Sequence, residues 1–509
     1  MTLLRPFIRS NSWIPTIQIP SLPLLATTVN PSAVQAMVTP NGGEGTATTA
    51  ISCSQPWHRA YLLRLEQALQ KQVPGVALHY WNEIDGKGIP EIFLQKKYVV
   101  DGKEIDNPLR SYRYQKTIQD RLSPFPDADY SKPKGRETCR FPFSGLYGNA
   151  DCHTSDAHNN IMNLLGQEKT DQLLQTNVKQ WLEGKYTTSG GDQMTGFIKA
   201  KYLKSLKAPN YTVFSNTTSA ARWNDDNPPD VKETLPGVVP LESPHNGIHL
   251  AIGGIQIPVQ DASSVPGANG DMAENDTAAF DPIFFFHHAF VDLIFWRWQI
   301  EHNQTKALID DKLLDYPGTN SVDAQGPTPG VTGGSWLTLT SPLAPFKRGS
   351  SSDFFTSQDV ANIEKLGYTY DIPPQIPLPK DGFASPIPTP ARSPYLRIGG
   401  INRAAVRGSF VISAWSLGPE GRKLVGAEPV LSRWHVLGCA NCQNHLDVLT
   451  HMPLDGWKNS DAENTNFEVR VHTRDHPSGH LQLAGRTPSL KVIPKATFDI
   501  VAPEPRLNV

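Results

Sequence analysis

The sequence predicts a mainly α-helical central domain with long loop excursions, then a stiff linker and a β-sandwich-like C-terminal domain. Three observations predict it. Apolar residues recur at helical spacing around 53–72, 158–182, 245–254 and 280–302, the pattern of helix faces packed on a core. The stretches between them, such as 318–347, are rich in Gly, Pro, Ser and Thr and read as loops. Past prolines at 373, 374, 377, 379, 386, 388, 390 and 394, the segments 408–415, 425–435, 467–472 and 490–493 alternate or run rich in β-branched and aromatic residues. The expected organisation is a disordered or atypical segment over 1–52, a central domain over 53–371, a linker over 372–396 and a β-rich domain over 397–509.

Composition narrows the function classes. With 47 basic and 49 acidic residues, nothing in the charge favours nucleic acid or a membrane surface. No run of 18 apolar residues suggests a span, and Pro15, Pro20 and Pro23 interrupt the one apolar N-terminal stretch that could have been a signal peptide. Five cysteines are too few for a disulfide scaffold, and the odd count fits an intracellular compartment. Were the chain secreted, Asn210, Asn216, Asn275 and Asn303 would be glycosylation acceptors.

The helical segment at 245–254 carries His245 and His249, four residues apart and so on one helical face, where both rings can aim at one point. About forty residues later a helix that is otherwise aromatic and aliphatic carries His287, His288 and Asp292. Such polar groups are costly to bury unless satisfied. A metal ion satisfies them, and neutral imidazoles suit copper, zinc, iron or nickel alike. Of the adjacent pair, His288 is the expected ligand, because Asp292 four residues on lies near its face. His287 would point about 100° away, into the core, bonded to a backbone carbonyl.

These segments resemble the central domain of tyrosinases, the type-3 copper proteins. The motifs His-Asn-x-x-His-x-x-x-Gly-Gly (245–254) and Asp-Pro-Ile-Phe-x-x-His-His-x-x-x-Asp (281–292) are similar to the two halves of that family's second copper site. Trp57-His58-Arg59 resembles the helix bearing the last ligand of the first site, Tyr80-Trp81-Asn82-Glu83 the segment that follows it, and Tyr368-Thr369-Tyr370 the mark that closes the domain. The resemblance implies a helical bundle, two copper ions, and metal ligands at His58, His245, His249 and His288. It also implies that Glu242 and Asn246 orient a water and help deprotonate a monophenol; read from the residues alone, Glu242 is equally a solvated loop carboxylate.

The first copper site departs from the family pattern. Two further histidines are expected upstream of Trp57, yet His58 is the first histidine of the chain and position 55 is Gln. Residues 1–50 hold one acidic residue, Glu44, and read as disordered or foreign sequence. A misassigned 5′ exon boundary accounts for this; genuine loss, leaving one metal, is the alternative. His79, His153 and His158 could substitute, although the last two are expected on an exposed loop.

The C-terminal domain contains Cys439-Ala440-Asn441-Cys442 with His445. A single CxxC is compatible with a disulfide, half a zinc site or a thiolate pair for Cu(I). By the resemblance, transient copper binding is expected, and the domain is expected to cover the active site. The function so implied is oxidation of monophenols and ortho-diphenols to ortho-quinones with O₂. Alternatives are a zinc-dependent hemocyanin-like enzyme, an O₂ carrier and an inactive homologue.

Overall fold

The computed structural model describes residues 7–9, 53–100, 102–118, 131–148, 151–184, 186–187, 193–194, 197–227, 237–256, 265–309, 316–319, 331–332, 334–349, 352–376, 394–419, 421–434, 446–454, 457–481 and 497–501. The CxxC and His445, the strand expected at 490–493 and most of the proline-rich linker lie outside them.

Among the described residues the helices of the central domain are α1 (Ser54–Gln72), α2 (Asp151–Leu164), α3 (Gln167–Glu183), α4 (Phe197–Ser205), α5 (Tyr211–Ser215), α6 (Thr217–Asp226), α7 (Glu242–Gly253) and α8 (Ile283–Glu301). The helix α8 is buried continuously from Ile283 to Gln299. A helix apolar on every side belongs in the middle of a core, and α1, α4, α5 and α7 surround it with aromatic contacts such as Phe214 on Trp298 (4.8 Å) and Tyr202 on Phe290 (5.2 Å). Pro282 sits just before its first turn, where a missing N–H costs nothing. The expected helix at 158–182 is in fact two helices broken at Gly166, whose φ of 77° is left-handed. His153 and His158 therefore lie on α2, not on a loop.

The N-terminal reading needs a correction. Strand β1 (Phe7–Arg9) pairs in parallel with a strand at Tyr368–Tyr370, and the Arg9 side chain is fully buried. Those three residues belong to the fold; 10–52 lie outside the described residues. Hairpins β2–β3 (Lys97–Val100, Lys103–Asp106), β4–β5 (Tyr186–Thr187, Gln193–Met194) and β6–β7 (Pro342–Lys347, Phe354–Thr356) lie between β1 and its partner, β8 (Tyr368–Tyr370).

The C-terminal domain is the expected sandwich. One sheet has the order β11 (Gly421–Val430), β10 (Phe410–Gly418), β13 (Asn466–His472), β14 (His480–Leu481); the other has β12 (Asp447–Pro453), β9 (Tyr395–Asn402), β15 (Thr497–Val501). Strand β10 is buried on both faces: Phe410 and Ile412 pack into the sandwich, while Val411 joins the core of the helical domain. That explains why its sequence runs apolar rather than alternating.

Polar contacts fasten the two domains. Glu428 on β11 accepts from Ser243 (2.9 Å) and Lys201, Ser409 donates to the Ala273 carbonyl (2.8 Å), and Asp225 on α6 accepts from Arg397 (2.7 Å) and His451 (2.9 Å). Partial burial alone would raise the Asp225 carboxyl, but the bonds from Arg397 and His451 outweigh it and hold it well below the ordinary range. A carboxyl so depressed stabilises the fold above its unfolded pKa, and that contribution is lost as pH falls. Thermal melts should therefore show Asp225→Asn losing less stability than the parent between about pH 5 and pH 2.

Of the four candidate glycosylation triplets, Asn210 and Asn216 are buried N-caps of α5 and α6, accepting from Val213 (3.0 Å) and Ser219 (2.8 Å) N–H, and Asn275 is also buried. Only Asn303 is exposed.

Candidate metal centre

Helix α7 sets His245 and His249 one turn apart with ring centroids 4.6 Å from each other. Helix α8 brings His287 to 5.1 and 5.0 Å from those rings, and His288 to 4.9 and 5.6 Å. One ligand atom from each of the four can lie within 4.8 Å of all the others, the one such group of metal-binding side chains among the described residues. The fifth imidazole, His58 on α1, stacks on His288 at 3.9 Å and stands 6.4 Å from His245.

Hydrogen bonds fix three of the rings. The Nδ1–H of His245 donates to the Asn246 side-chain oxygen (3.0 Å), that of His249 to the Met272 carbonyl (2.8 Å), and that of His287 to the Glu83 carboxylate (2.6 Å). With Nδ1 so occupied, Nε2 keeps the lone pair a metal needs. The Nε2 of His249 and of His287 has no partner, and neither do both ring nitrogens of His288 and of His58, all buried. Burial pushes His58, His249 and His287 down to about 3, with the neighbouring imidazoles adding to the effect on the first two, and pushes His245 and His288 well below their ordinary value. The rings are therefore neutral, the form that coordinates metal. Buried orphan nitrogens cost stability unless something binds them, so the donor set fits a transition-metal ion.

Two expectations change. His287 does not turn away to a backbone carbonyl; it faces the cluster and is pinned from behind by a carboxylate. That carboxylate, Glu83, also accepts from Tyr202, is fully buried, and is raised well above its ordinary value by that burial. The sequence showed Glu83 only as part of a family segment; its partner lies 204 residues away. The other change concerns Glu242, which is no solvated loop group. It occupies the first turn of α7, 7% exposed, and accepts from the Thr217 N–H (2.7 Å) and hydroxyl (3.0 Å) and from the Asn246 amide (3.3 Å). Burial raises its pKa, and those bonds oppose the rise.

The paired glycines ending α7 have a steric reason: a Cβ on Gly253 would stand 2.2 Å from the Ala273 nitrogen, and Gly254 has φ 128°. The remaining first-site candidates do not join the cluster. His153 is exposed, His158 bonds the Pro142 carbonyl (2.7 Å), and neither they nor His79 belong to the four-imidazole group. Cys53 is a buried thiol at the N-cap of α1.

Residues 52–301 match the family model for the common central domain of tyrosinase. A tyrosinase of Aspergillus oryzae is 47% identical over 442 residues, covering 83% of this chain and 81% of the relative. The chain belongs to the tyrosinase family. It is accordingly a tyrosinase-type copper oxidoreductase. A second tyrosinase, HcTyr2 of a Hahella species, is 43% identical over 82% of this chain and 77% of its own length. Among solved structures, a tyrosinase of Burkholderia thailandensis superposes with TM-score 0.75 at 35% identity, covering 97% of this chain and all of the other. Aspergillus oryzae pro-tyrosinase shares the fold at TM-score 0.54 and 15% identity. No helix among the described residues is long and apolar enough to cross a membrane.

Proposed function

We propose that this tyrosinase-type chain oxidises monophenols and ortho-diphenols to ortho-quinones, and that His245, His249 and His288 hold a copper ion. The single observation that carries the reading is the buried group of neutral imidazoles with outward-fixed lone pairs beside a buried Glu242–Asn246 pair. His288 is chosen because neither of its nitrogens has a protein partner, so its burial is offset only by a bound ion. His287, held from behind by Glu83, is a fourth nitrogen in reach of the same point. Bound copper would supply electron transfer between the phenol and O₂. The chain's own residues do the rest. The Glu242 carboxylate, whose proton affinity burial raises, accepts the phenolic proton directly or through a water, and Asn246 ties that carboxylate to His245. The C-terminal domain covers this end of α7 through Glu428 and Ser243.

Loading the purified full chain with copper and following O₂ uptake on a catechol and a monophenol tests the reading. Uptake on both is expected, and copper-loaded protein that consumes none would sink the proposal. Glu242→Gln should lower the monophenol rate about 10²-fold or more relative to the catechol rate, the contribution of a positioned base. By elemental analysis, His288→Ala should lose the ion that His287→Ala retains.

One observation favours a second reading, a single ion acting as Lewis acid as zinc does. Among the described residues His58 is the one further imidazole in ring contact with the four, and residues 1–57 contain no histidine. Two coppers per chain would exclude it; one zinc with no O₂ uptake would establish it.

A further inference from the structure

Glu242 lies in the helical domain, yet the cation acting on it comes from the C-terminal domain. Arg403 follows directly after β9, where its backbone N–H donates to the Leu446 carbonyl (2.8 Å). The side chain is half-buried, and its Nε is buried and makes no hydrogen bond. Burial pulls the group down to about 10, and attraction to Glu242 opposes that. Arg403, Glu242 and Asn246 line one cavity of about 330 Å³ between α6–α7 and β11–β12. The other cations at this seam are committed elsewhere: Lys201 to Glu428, Arg397 to Asp225, Arg222 to Asp226. A buried carboxylate that shares a chamber with a half-buried arginine whose Nε is buried and unpaired is an electrostatic pairing across that chamber.

We propose that Arg403 is a positioning residue for Glu242, so that the C-terminal domain supplies the counter-charge that holds the carboxylate toward Asn246 and the imidazole cluster. This rests on the reading of Glu242 as the proton acceptor. The covering domain is then part of the monophenol machinery, and oxidation of a catechol, which needs less of that base, depends on it less.

The test uses the full chain with Arg403→Gln, Arg403→Lys, Glu242→Gln and the Gln/Gln double variant. On copper-loaded protein, Arg403→Gln should lower the monophenol-to-catechol ratio of kcat about tenfold, part of the ~10²–10⁴ that a positioned base contributes. KM for the monophenol should stay put, and Arg403→Lys should restore most of the ratio. On metal-free protein, Arg403→Gln should lower the melting temperature when Glu242 is present and not when it is already Gln. Equal losses on both substrates, or the same melting loss in both backgrounds, overturn the proposal and leave Arg403 a packing residue. Should Glu242→Gln itself leave the substrate ratio unchanged, the base reading fails alone. The metal-free melts then decide whether Arg403 is the counter-charge.

Discussion

His249→Ala is expected to abolish the metal-dependent rise in melting temperature and to cut catechol oxidation by at least about 100-fold, the upper end of what losing an outer partner of a ligand costs. The imidazole has one nitrogen committed to the Met272 carbonyl and the other free. Nothing else on that face of α7 can take its place. In the parent, an ion that binds the folded chain and not the unfolded one stabilises it by mass action, so the melting temperature climbs with added copper and falls back with a chelator. In the variant the remaining imidazoles come from α7, α8 and α1 without the pair of nitrogens one turn apart that fixes the ion. Calorimetry with and without copper reads this independently of turnover. A full copper-dependent shift in the variant would remove His249 from the ligand set.

The helices that carry this site were legible because their composition is extreme. An aromatic and aliphatic run from Phe284 to Trp298 that contains two histidines and an aspartate needs an explanation, and burial around an ion supplies it. The strands of the sandwich were legible from β-branched runs. What could not be read were pairings across long separations. Glu83 is one acid among 49 until the fold sets it 2.6 Å from His287, and Arg403 is a turn residue until β9 delivers it to Glu242. Composition also misled at the N-terminal end. Arg9 sits in a stretch with almost no acidic residues and no period, and its role arises only from two tyrosines and two carboxylates supplied by the rest of the chain.

That same arginine makes Asp292→Ala the largest expected loss of stability. Asp292 lies one turn after His288 on α8 and is the hub of a buried network. Its carboxylate accepts from Arg59 (2.6 Å), Tyr368 (2.8 Å) and Tyr370 (2.6 Å), and Arg9 approaches to 3.5 Å. Both arginines are fully buried. Arg9 keeps Glu66 (2.9 Å) and its stacking over Tyr368, and Arg59 keeps Gln299 and two backbone carbonyls. After truncation the hydrogen bonds are only thinned, while Arg59 loses its counter-charge altogether. Leaving a buried ion uncompensated costs about 3–5 kcal/mol, a large part of the roughly 5–15 kcal/mol that holds a domain together. Urea unfolding should show it as a lowered midpoint. Asp292→Asn should do little better, since the amide keeps the shape and still lacks the charge. Because α1 and α8 are joined through this pair, His58 and His288 lose their mutual placement, and copper affinity should fall along with stability. A midpoint unchanged in Asp292→Ala would mean that the tyrosines and carbonyls alone hold the two arginines, and that the helices bearing the metal centre are fixed by their aromatic packing instead.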